Sequence, residues 1–181
     1  MTKHTKGLLI KSLALAITFL FAAGIAHAKI PEGWPFLDFN TAVREAKRLG
    51  KPMFVYFGFA TCPYCIYLNQ NTFAFEALRK RYADHYVLAY FDIRGKRDDV
   101  ITLPDGGQLT RAEAIKRLKG SPVPAWMFVS PDGREILMRR GSRTKVDAFM
   151  KFDLYVASGE YRQGSFEDFL ARRGLREDPV E

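Results

Sequence analysis

In the first half of the chain, segments with apolar residues at helical spacing lie before and between short, unbroken apolar runs. Four apolar residues recur at helical spacing and predict a first amphipathic helix: Phe39, Val43, Ala46 and Leu49. Gly50 and Pro52 end that helix. Residues 53–59 and 86–93 are apolar runs rich in β-branched and aromatic side chains, which is typical of strands buried on both faces. A helical stretch lies between these two predicted strands.

Turn residues and helix caps organise the second half of the chain. Residues 94–108 are rich in charge, glycine and proline, so we expect a loop there. Thr110 and Glu113 form a capping box that opens the next helix. Residues 125–130 and 134–139 then predict the two strands of a hairpin, joined by a Pro-Asp-Gly turn.

The C-terminal part is predicted to be helical. A long helix is expected from Thr144, and Ser165 can cap a short helix after it. Four aromatic residues of this extension could form either a dimer face or a cap packed on the domain: Tyr155, Tyr161, Phe166 and Phe169. We expect the packed cap and a monomeric protein. Residues 174–181 are polar and are expected to fray.

The order of the elements predicts the fold class. Helix, strand, helix, strand, helix, strand, strand and helix follow one another, which indicates an α/β fold. Its central mixed sheet should have about four to five strands covered by helices on both faces, with a C-terminal helical extension. We place a single domain at residues 29–173, because removing 28 of the 181 residues leaves 153, enough for one hydrophobic core.

Residues 1–28 have the features of a secretory signal peptide. Lysines at positions 3, 6 and 11 give a positive start, an apolar run covers 13–26, and residues 26–28 have the small-x-small pattern of a cleavage site. The alternative is a retained membrane anchor, but the uncharged stretch of 17 residues, 12–28, is at the lower limit for crossing a bilayer. We expect export and cleavage after Ala28.

The charge of the chain is mildly basic. The net charge of +8 falls to +5 without residues 1–28, because three lysines and no acid lie there. Nucleic-acid binding would need Lys and Arg gathered into a stripe or patch. The basic clusters at 79–81 and 139–140 are short and lie beside apolar patterns, so we interpret them as solvated faces and expect no nucleic-acid partner. Acidic proteins or an anionic membrane surface stay open as partners of such a surface.

The chain has two cysteines, Cys62 and Cys65, placed where a predicted strand passes into a helix. A Cys-x-x-Cys pair can be half of a zinc site, a small structural disulfide or a redox-active dithiol. Zinc would need two further ligands, and His85 is the single histidine after position 28, so we expect no metal and no cofactor. A structural disulfide stays open, although so short a loop would stabilise a domain little.

The position at a helix N-terminus favours the redox interpretation. Unpaired backbone N–H groups and the positive end of the helix dipole stabilise an anion there, so the first thiol becomes the nucleophile. We assign Cys62, expected to be the exposed cysteine, as the nucleophile and Cys65, one turn later, as the resolving cysteine. Pro63 fits the first helical turn, where its missing N–H costs nothing.

Together, the element order and two segments resemble the thioredoxin superfamily over about residues 36–154. The segments are FGFATCPYC at 57–65 and VPAWMF at 123–128. More narrowly, LPDGGQLT at 103–110 is similar to bacterial periplasmic thioredoxin-like proteins, including those associated with sulfur-oxidation systems. The resemblance implies a thioredoxin-like fold, a redox-active Cys62–Cys65 disulfide and a periplasmic location.

The resemblance also implies a substrate-binding site beside the cysteines. The family carries a cis proline directly before a strand, which Pro124 matches, with Pro122 as the competing candidate and an ordinary turn proline as the alternative. Val123 would then offer backbone groups to an extended substrate segment. Pro63 and Tyr64, between the cysteines, would complete this site.

Two positions depart from the thioredoxin pattern. Tyr56 stands where typical thioredoxins have a buried acid that helps proton transfer to the second cysteine, and Thr61 replaces the usual tryptophan. Either water or another group deprotonates Cys65, or the redox bias differs from that of cytosolic thioredoxins. The inner dipeptide Pro63-Tyr64 is also that of glutaredoxins, but no glutathione-binding constellation accompanies it, so we do not expect glutathione as a ligand.

These features predict a periplasmic thiol-disulfide oxidoreductase that reduces disulfides of exported proteins. A membrane electron transporter would keep it reduced. The alternatives are a thiol oxidase or isomerase-like role, and a non-catalytic binding or chaperone module with the same fold. The motif itself does not determine the direction of electron flow, because the potential depends on how strongly the thiolate is stabilised relative to the disulfide.

Overall fold

A computed structural model describes residues 30–177, so the predicted signal peptide lies outside the described residues. Within them the strands are β1 (Leu37–Asp38), β2 (Met53–Gly58), β3 (Val87–Asp92), β4 (Val100–Thr102), β5 (Gln108–Thr110), β6 (Ala125–Val129) and β7 (Glu135–Arg140). The helices are α1 (Phe39–Leu49), α2 (Pro63–Asn71), α3 (Glu76–His85), α4 (Arg111–Arg117), α5 (Val146–Ala157) and α6 (Phe166–Arg172), with a short 3₁₀ turn at Glu160–Arg162. None of these helices is long and apolar enough to cross a membrane.

The main sheet is mixed and has five strands in the spatial order β1-β3-β2-β6-β7. β3 runs parallel to both of its neighbours, β1 and β2, whereas β6 runs antiparallel to β2 and β7. The predicted α/β class, the mixed sheet and the thioredoxin-like arrangement of its strands are therefore confirmed. β2 is the central strand, so the segment that follows it begins in the middle of the sheet, at the end where β2 finishes.

Side chains alternate along β2 and divide the core into two halves. Phe54 and Tyr56 lie on the face covered by α2, α3, α5 and α6. Met53, Val55 and Phe57 lie on the opposite face, which α1 and α4 cover. All six residues of β2 are buried, as expected for a central strand covered on both sides.

Helix boundaries follow the caps that the sequence predicts. Gly50 ends α1 in the left-handed conformation, with φ of 61°. Thr110 and Glu113 form the predicted capping box at the start of α4. Ser165 caps α6 through the same kind of reciprocal contact with Asp168. Three of the six described helices, α1, α4 and α6, therefore begin or end at a residue that the local sequence identifies.

The segment 94–108, predicted to be a loop, contains most of a small hairpin. β4 and β5 pair antiparallel, with Val100 opposite Thr110 and Thr102 opposite Gln108. The turn between them has Gly106 at φ of 91°, a conformation that favours glycine. Strands of three residues carry too little periodicity to be recognised in a sequence, and the two-residue strand β1 escapes prediction for the same reason.

The C-terminal extension packs onto the domain. Tyr155, Phe166 and Phe169 are all buried, and the Tyr155 ring centroid lies 5.3 Å from that of Phe166 and 5.4 Å from that of Phe169. Tyr161 is half-buried beside the same cluster. These aromatic surfaces are therefore used within the chain, which matches the predicted C-terminal helical cap.

Candidate active site

Cys62 and Cys65 lie at the junction between β2 and α2. Cys62 is the N-cap residue of α2, and Pro63 is the first residue of that helix. The Cys62 N–H donates to the Phe59 carbonyl at 3.1 Å, and the Cys62 carbonyl accepts from the Ile66 N–H at 3.0 Å. Since β2 is the central buried strand, these bonds fix the pair next to the carboxyl end of β2, in the middle of the sheet.

The two cysteines form a disulfide, and their Cα atoms lie 5.2 Å apart. Sγ of Cys62 also accepts a hydrogen bond of 3.1 Å from the backbone N–H of Cys65. A backbone donor at a helix N-terminus stabilises negative charge on that sulfur. A thiolate at Cys62 would therefore have a backbone hydrogen-bond donor to stabilise it.

Cys62 is buried, and the expectation that it is the exposed cysteine is wrong. Its side chain is 2% exposed, and that of Cys65 is 3% exposed. Cys62 belongs, with Cys65 and Leu68, to the core cluster beneath α2. The surface next to the pair is formed by Pro63 and by Tyr64, which is 65% exposed.

Val123 and Pro124 lie beside the same sheet edge. Ala125 pairs with Phe57, so Pro124 is one step beyond that pair, level with Gly58 at the end of β2. Pro124 is buried and Val123 is half-buried. The peptide bonds Val123–Pro124 and Ser121–Pro122 are both cis, so the two proline candidates share this geometry. Of these two prolines, only Pro124 directly precedes a strand and is buried.

Tyr56, at the position of the missing acid, is 1% exposed. Its hydroxyl donates a 3.0 Å hydrogen bond to Oδ1 of Asn69, one helical turn after Cys65. Burial, with a smaller contribution from Tyr90, raises the pKa of the Tyr56 phenol far above its ordinary value. Tyr56 is therefore a neutral donor near physiological pH, and Asn69 is a site residue that spacing alone does not reveal.

Gly58 separates Cys65 from a second tyrosine. A methyl group at Gly58 would lie 3.4 Å from Cys65 Sγ and 3.5 Å from the Tyr90 hydroxyl. Tyr90 and Asp92 both line a cavity of about 230 Å³ on the outer side of β3. Burial raises the pKa of Tyr90 above its ordinary value, and the Asp92 carboxylate raises it further. Tyr90 is a second neutral hydroxyl close to the resolving cysteine.

The chemistry available at this site is that of the two sulfurs. The disulfide can accept two electrons and two protons, and the helix N-terminus favours a thiolate at Cys62 once it is reduced. Among residues 30–177, no group of three or more His, Cys, Asp or Glu side chains is placed to hold a metal ion.

Comparison with known proteins identifies the family. A family model described as a thioredoxin-like domain matches residues 39–152, which include β2, both cysteines and Pro124. A comparison with curated proteins gives no match. The residues matched by the family model therefore include the whole candidate site.

Solved structures share the fold at low sequence identity. A thioredoxin from Thermus thermophilus has a TM-score of 0.55 and 20% identity, with 68% of this chain and 86% of that chain covered. A thioredoxin-fold protein from Helicobacter pylori has a TM-score of 0.55 and 17% identity, with 69% and 80% covered. DsbH oxidoreductase has a TM-score of 0.51 and 15% identity, with 72% and 86% covered. Because the matching family model spans more than half of the chain, the protein belongs to the thioredoxin-like domain family.

Proposed function

We propose that the protein is a thiol-disulfide oxidoreductase that uses Cys62 and Cys65 to reduce disulfides of exported proteins. The observation that carries this proposal is the cysteine pair at the N-terminus of α2, where Cys62 Sγ accepts the Cys65 N–H at 3.1 Å. A purely structural disulfide between these two cysteines would close too short a loop to stabilise the domain much. A redox pair, in contrast, benefits from a donor that stabilises the thiolate.

The first step forms a mixed disulfide. In the reduced protein the Cys62 thiolate attacks one sulfur of a substrate disulfide, and the other substrate sulfur leaves as a thiolate that takes up a proton. Cys62 is 2% exposed in the disulfide form, so its side chain must turn outward once the bond to Cys65 is broken. The exposed residues Pro63 and Tyr64 border the path by which the substrate arrives.

The second step releases the substrate. Cys65 loses its proton and attacks Cys62 Sγ, which breaks the mixed disulfide and frees the second substrate thiolate to take up a proton. Two electrons have then passed from the protein dithiol to the substrate, and the Cys62–Cys65 disulfide remains. An external dithiol donor, which we propose to be a membrane electron transporter, returns the pair to its reduced form.

Substrate contact is assigned to the segment before β6. Val123 would pair through its backbone with an extended substrate strand, and Pro124 would pack against the reacting sulfurs. Support comes from the register, which sets Pro124 level with Gly58, four residues before Cys62. The substrates would be exported proteins, because residues 1–28 have the pattern of a secretory signal and the location would be the periplasm.

The proposal is tested by the redox potential and by reduction of a protein disulfide. The purified protein is equilibrated with dithiothreitol at graded ratios, and the fraction of Cys62–Cys65 disulfide is measured after acid trapping. We expect a reducing potential and turnover of a disulfide-bonded protein in the presence of a dithiol. A potential near that of strong periplasmic oxidants, together with no reduction of the substrate, would show a thiol oxidase instead. Cys62→Ser provides the inactive control.

The burial of both cysteines favours one rival, a non-catalytic binding module in which the disulfide stays closed. In that module the reduced pair would react slowly with alkylating agents. Rapid alkylation of Cys62 but not of Cys65 at neutral pH would exclude this rival, because it requires an accessible thiolate at position 62. Equal, slow labelling of the two cysteines would support it.

A further inference from the structure

Exposed aromatic side chains lie on the helix that carries the cysteine pair and at the start of the next helix. In the described part of the chain, three aromatic residues are exposed: Tyr64 at 65%, Tyr67 at 46% and Phe75 at 55%. Tyr64 and Tyr67 lie three residues apart on α2 and share one face of it, and Phe75 caps the start of α3. Aromatic rings left in water in one region, with few exposed elsewhere, are typical of binding surfaces.

A groove of about 630 Å³ lies next to these rings. Tyr67, Asn71 and Phe75 line one side of it, and Arg143, Lys145 and Asp147 line the other. One wall therefore carries two aromatic rings, and the other carries two cations and one carboxylate. A ligand that complements this groove has an apolar side chain and a negative charge.

The walls of the groove are formed by segments that also lead to the candidate active site. The aromatic wall is α2, the helix that begins at Cys62. The basic wall follows Gly141, whose N–H donates to the Pro124 carbonyl at 3.3 Å. The buried Thr72 hydroxyl donates to the Thr144 carbonyl at 2.7 Å and ties the two walls together. A polypeptide that reaches the cysteines beside Pro124 can thus continue along the groove.

We propose that this groove binds the part of a substrate polypeptide next to the disulfide being reduced, and that this part carries an aromatic or aliphatic side chain beside a carboxylate. The proposal rests on the function proposed above and adds the substrate class to it. The apolar side chain packs between Tyr67 and Phe75, and the carboxylate lies against Lys145. The net charge, +5 without residues 1–28, favours the same class of partner.

Two pairs of disulfide-bonded peptides test the groove with the reduced protein. In the first pair both peptides contain Phe, and one has two Asp beside the cysteine where the other has two Lys. In the second pair both peptides are acidic, and one has Phe where the other has Ala. Rate ratios within a pair cancel changes in thiol reactivity. We expect the acidic peptide to react about tenfold faster than the basic one at low salt, and less so at high salt. Lys145→Glu should abolish or reverse that ratio, whereas Lys116→Glu, on the opposite face of the sheet, should not.

The aromatic wall has its own matched control. Tyr67→Ala and Phe75→Ala should lower the Phe-to-Ala ratio, whereas Leu49→Ala, 49% exposed on α1, should leave it unchanged. Equal rates for the acidic and basic peptides, or equal effects of Lys145→Glu and Lys116→Glu, would overturn the proposal. A dimer that dissociates on Tyr67→Ala would overturn it in favour of a second copy of this chain.

Failure of the redox proposal is distinguishable from failure of the groove. If the reduced protein does not react even with a small disulfide, the oxidoreductase assignment is wrong. The same peptides with serine in place of cysteine are then titrated into the oxidised protein and followed by fluorescence polarisation. Tighter binding of the acidic Phe peptide, weakened by Lys145→Glu, supports the groove by itself, and equal binding of all peptides overturns it.

Discussion

The Tyr56 hydroxyl donates a 3.0 Å hydrogen bond to Oδ1 of Asn69, and this bond joins the central strand to the helix that carries both cysteines. Asn69 lies four residues after Cys65 on α2. Since Tyr56 is buried and stays protonated, the bond positions α2 over the sheet and supplies no ionisable group to the sulfurs. In this protein the position usually occupied by an acid is used for packing.

Tyr56→Phe tests that positional role. The variant keeps the ring and removes the hydroxyl, so the free energy of unfolding should fall by about 1 kcal/mol, measured by urea denaturation. The pH dependence of the thiol reaction between about pH 6 and 8 should not change, because a neutral phenol does not titrate there. A shifted pH profile with unchanged stability would contradict the assignment and make Tyr56 a proton-transfer group.

Buried tyrosines predict a loss of stability at alkaline pH. Burial raises the pKa of five phenols above the ordinary value of 10.0: Tyr56, Tyr82, Tyr86, Tyr90 and Tyr155. The folded state therefore keeps protons that the unfolded state releases above pH 10.0, so stability is intact below that pH and falls above it. Each such tyrosine adds a slope of about 1.4 kcal/mol per pH unit. Urea denaturation at a series of alkaline pH values should give a shallower slope for Tyr56→Phe.

Gly58→Ala probes the space between Cys65 and Tyr90. The added methyl group would meet Cys65 Sγ at 3.4 Å and the Tyr90 hydroxyl at 3.5 Å, which are ordinary contacts, so stability should change by less than about 1 kcal/mol. The methyl crowds Cys65 Sγ on the side that faces the Tyr90 hydroxyl, where the sulfur must move to attack Cys62. We expect mixed disulfides to resolve more slowly, measured by quenched-flow with a peptide disulfide.

Gly120→Ala gives the contrasting result. Its methyl group would lie 2.6 Å from a ring carbon of the fully buried Phe57, so the core must move. Unfolding free energy should fall by about 1–3 kcal/mol in urea denaturation. Equal stability losses for the two glycine variants would show that the core beside β2 is less tightly packed than the contacts indicate.

The position of the cysteine pair followed from the sequence, because a run of β-branched and aromatic residues leads directly into the Cys-x-x-Cys spacing. The burial of Cys62 did not follow. Exposure depends on where α2 sits relative to the sheet, and that is set by contacts distant in sequence, such as Tyr56 with Asn69. The groove between Tyr67 and Lys145 is likewise formed by segments more than seventy residues apart, which no local pattern brings together.

Most of the helices were predictable because their ends are marked by residues close in sequence. Helices α1, α4 and α6 begin or end at caps that are written locally, such as Gly50 and Ser165. β4 and β5 were missed because strands of three residues carry too little periodicity, and because Arg111 holds the segment before the hairpin through contacts with residues distant in sequence. Its guanidinium donates to the Asp92 carbonyl at 2.8 Å and the Lys96 carbonyl at 3.0 Å, and it pairs with Asp99 at 2.8 Å. Contacts of this kind leave no periodic signal.

Cys65→Ser should trap substrates. Serine keeps the backbone N–H that donates to Cys62 Sγ, so the nucleophile stays activated while the resolving thiol is lost. Mixed disulfides should accumulate in cells, visible as slower bands in non-reducing electrophoresis and identifiable by mass spectrometry. Cys62→Ser is the matched control and should trap almost nothing. Equal trapping by both variants would mean that the nucleophile and resolving roles are not divided as assigned.

Asp153 predicts a contribution to stability that is separate from the redox site. Its carboxylate is fully buried on α5, where Oδ1 lies 2.7 Å from His85 Nδ1 and accepts from the Tyr86 hydroxyl at 2.9 Å, and Oδ2 pairs with Arg81. His85 and Tyr86 immediately precede β3, whereas Cys62 follows β2. Because β2 and β3 are parallel, the Asp153 contacts and the cysteine pair lie at opposite ends of these strands.

Asp153→Ala should therefore lower the free energy of unfolding by about 3 kcal/mol, since it leaves the buried Tyr86 hydroxyl and the Arg81 guanidinium without their shared acceptor. Urea denaturation measures the loss, and Asp84→Asn, an exposed acid on the neighbouring helix, should stay within about 0.5 kcal/mol of the unchanged protein. The disulfide's redox potential, measured on the folded variant, should not move. A shifted potential would show that α5 couples Asp153 to the cysteine pair, and equal losses for both acids would show that the buried contacts contribute little.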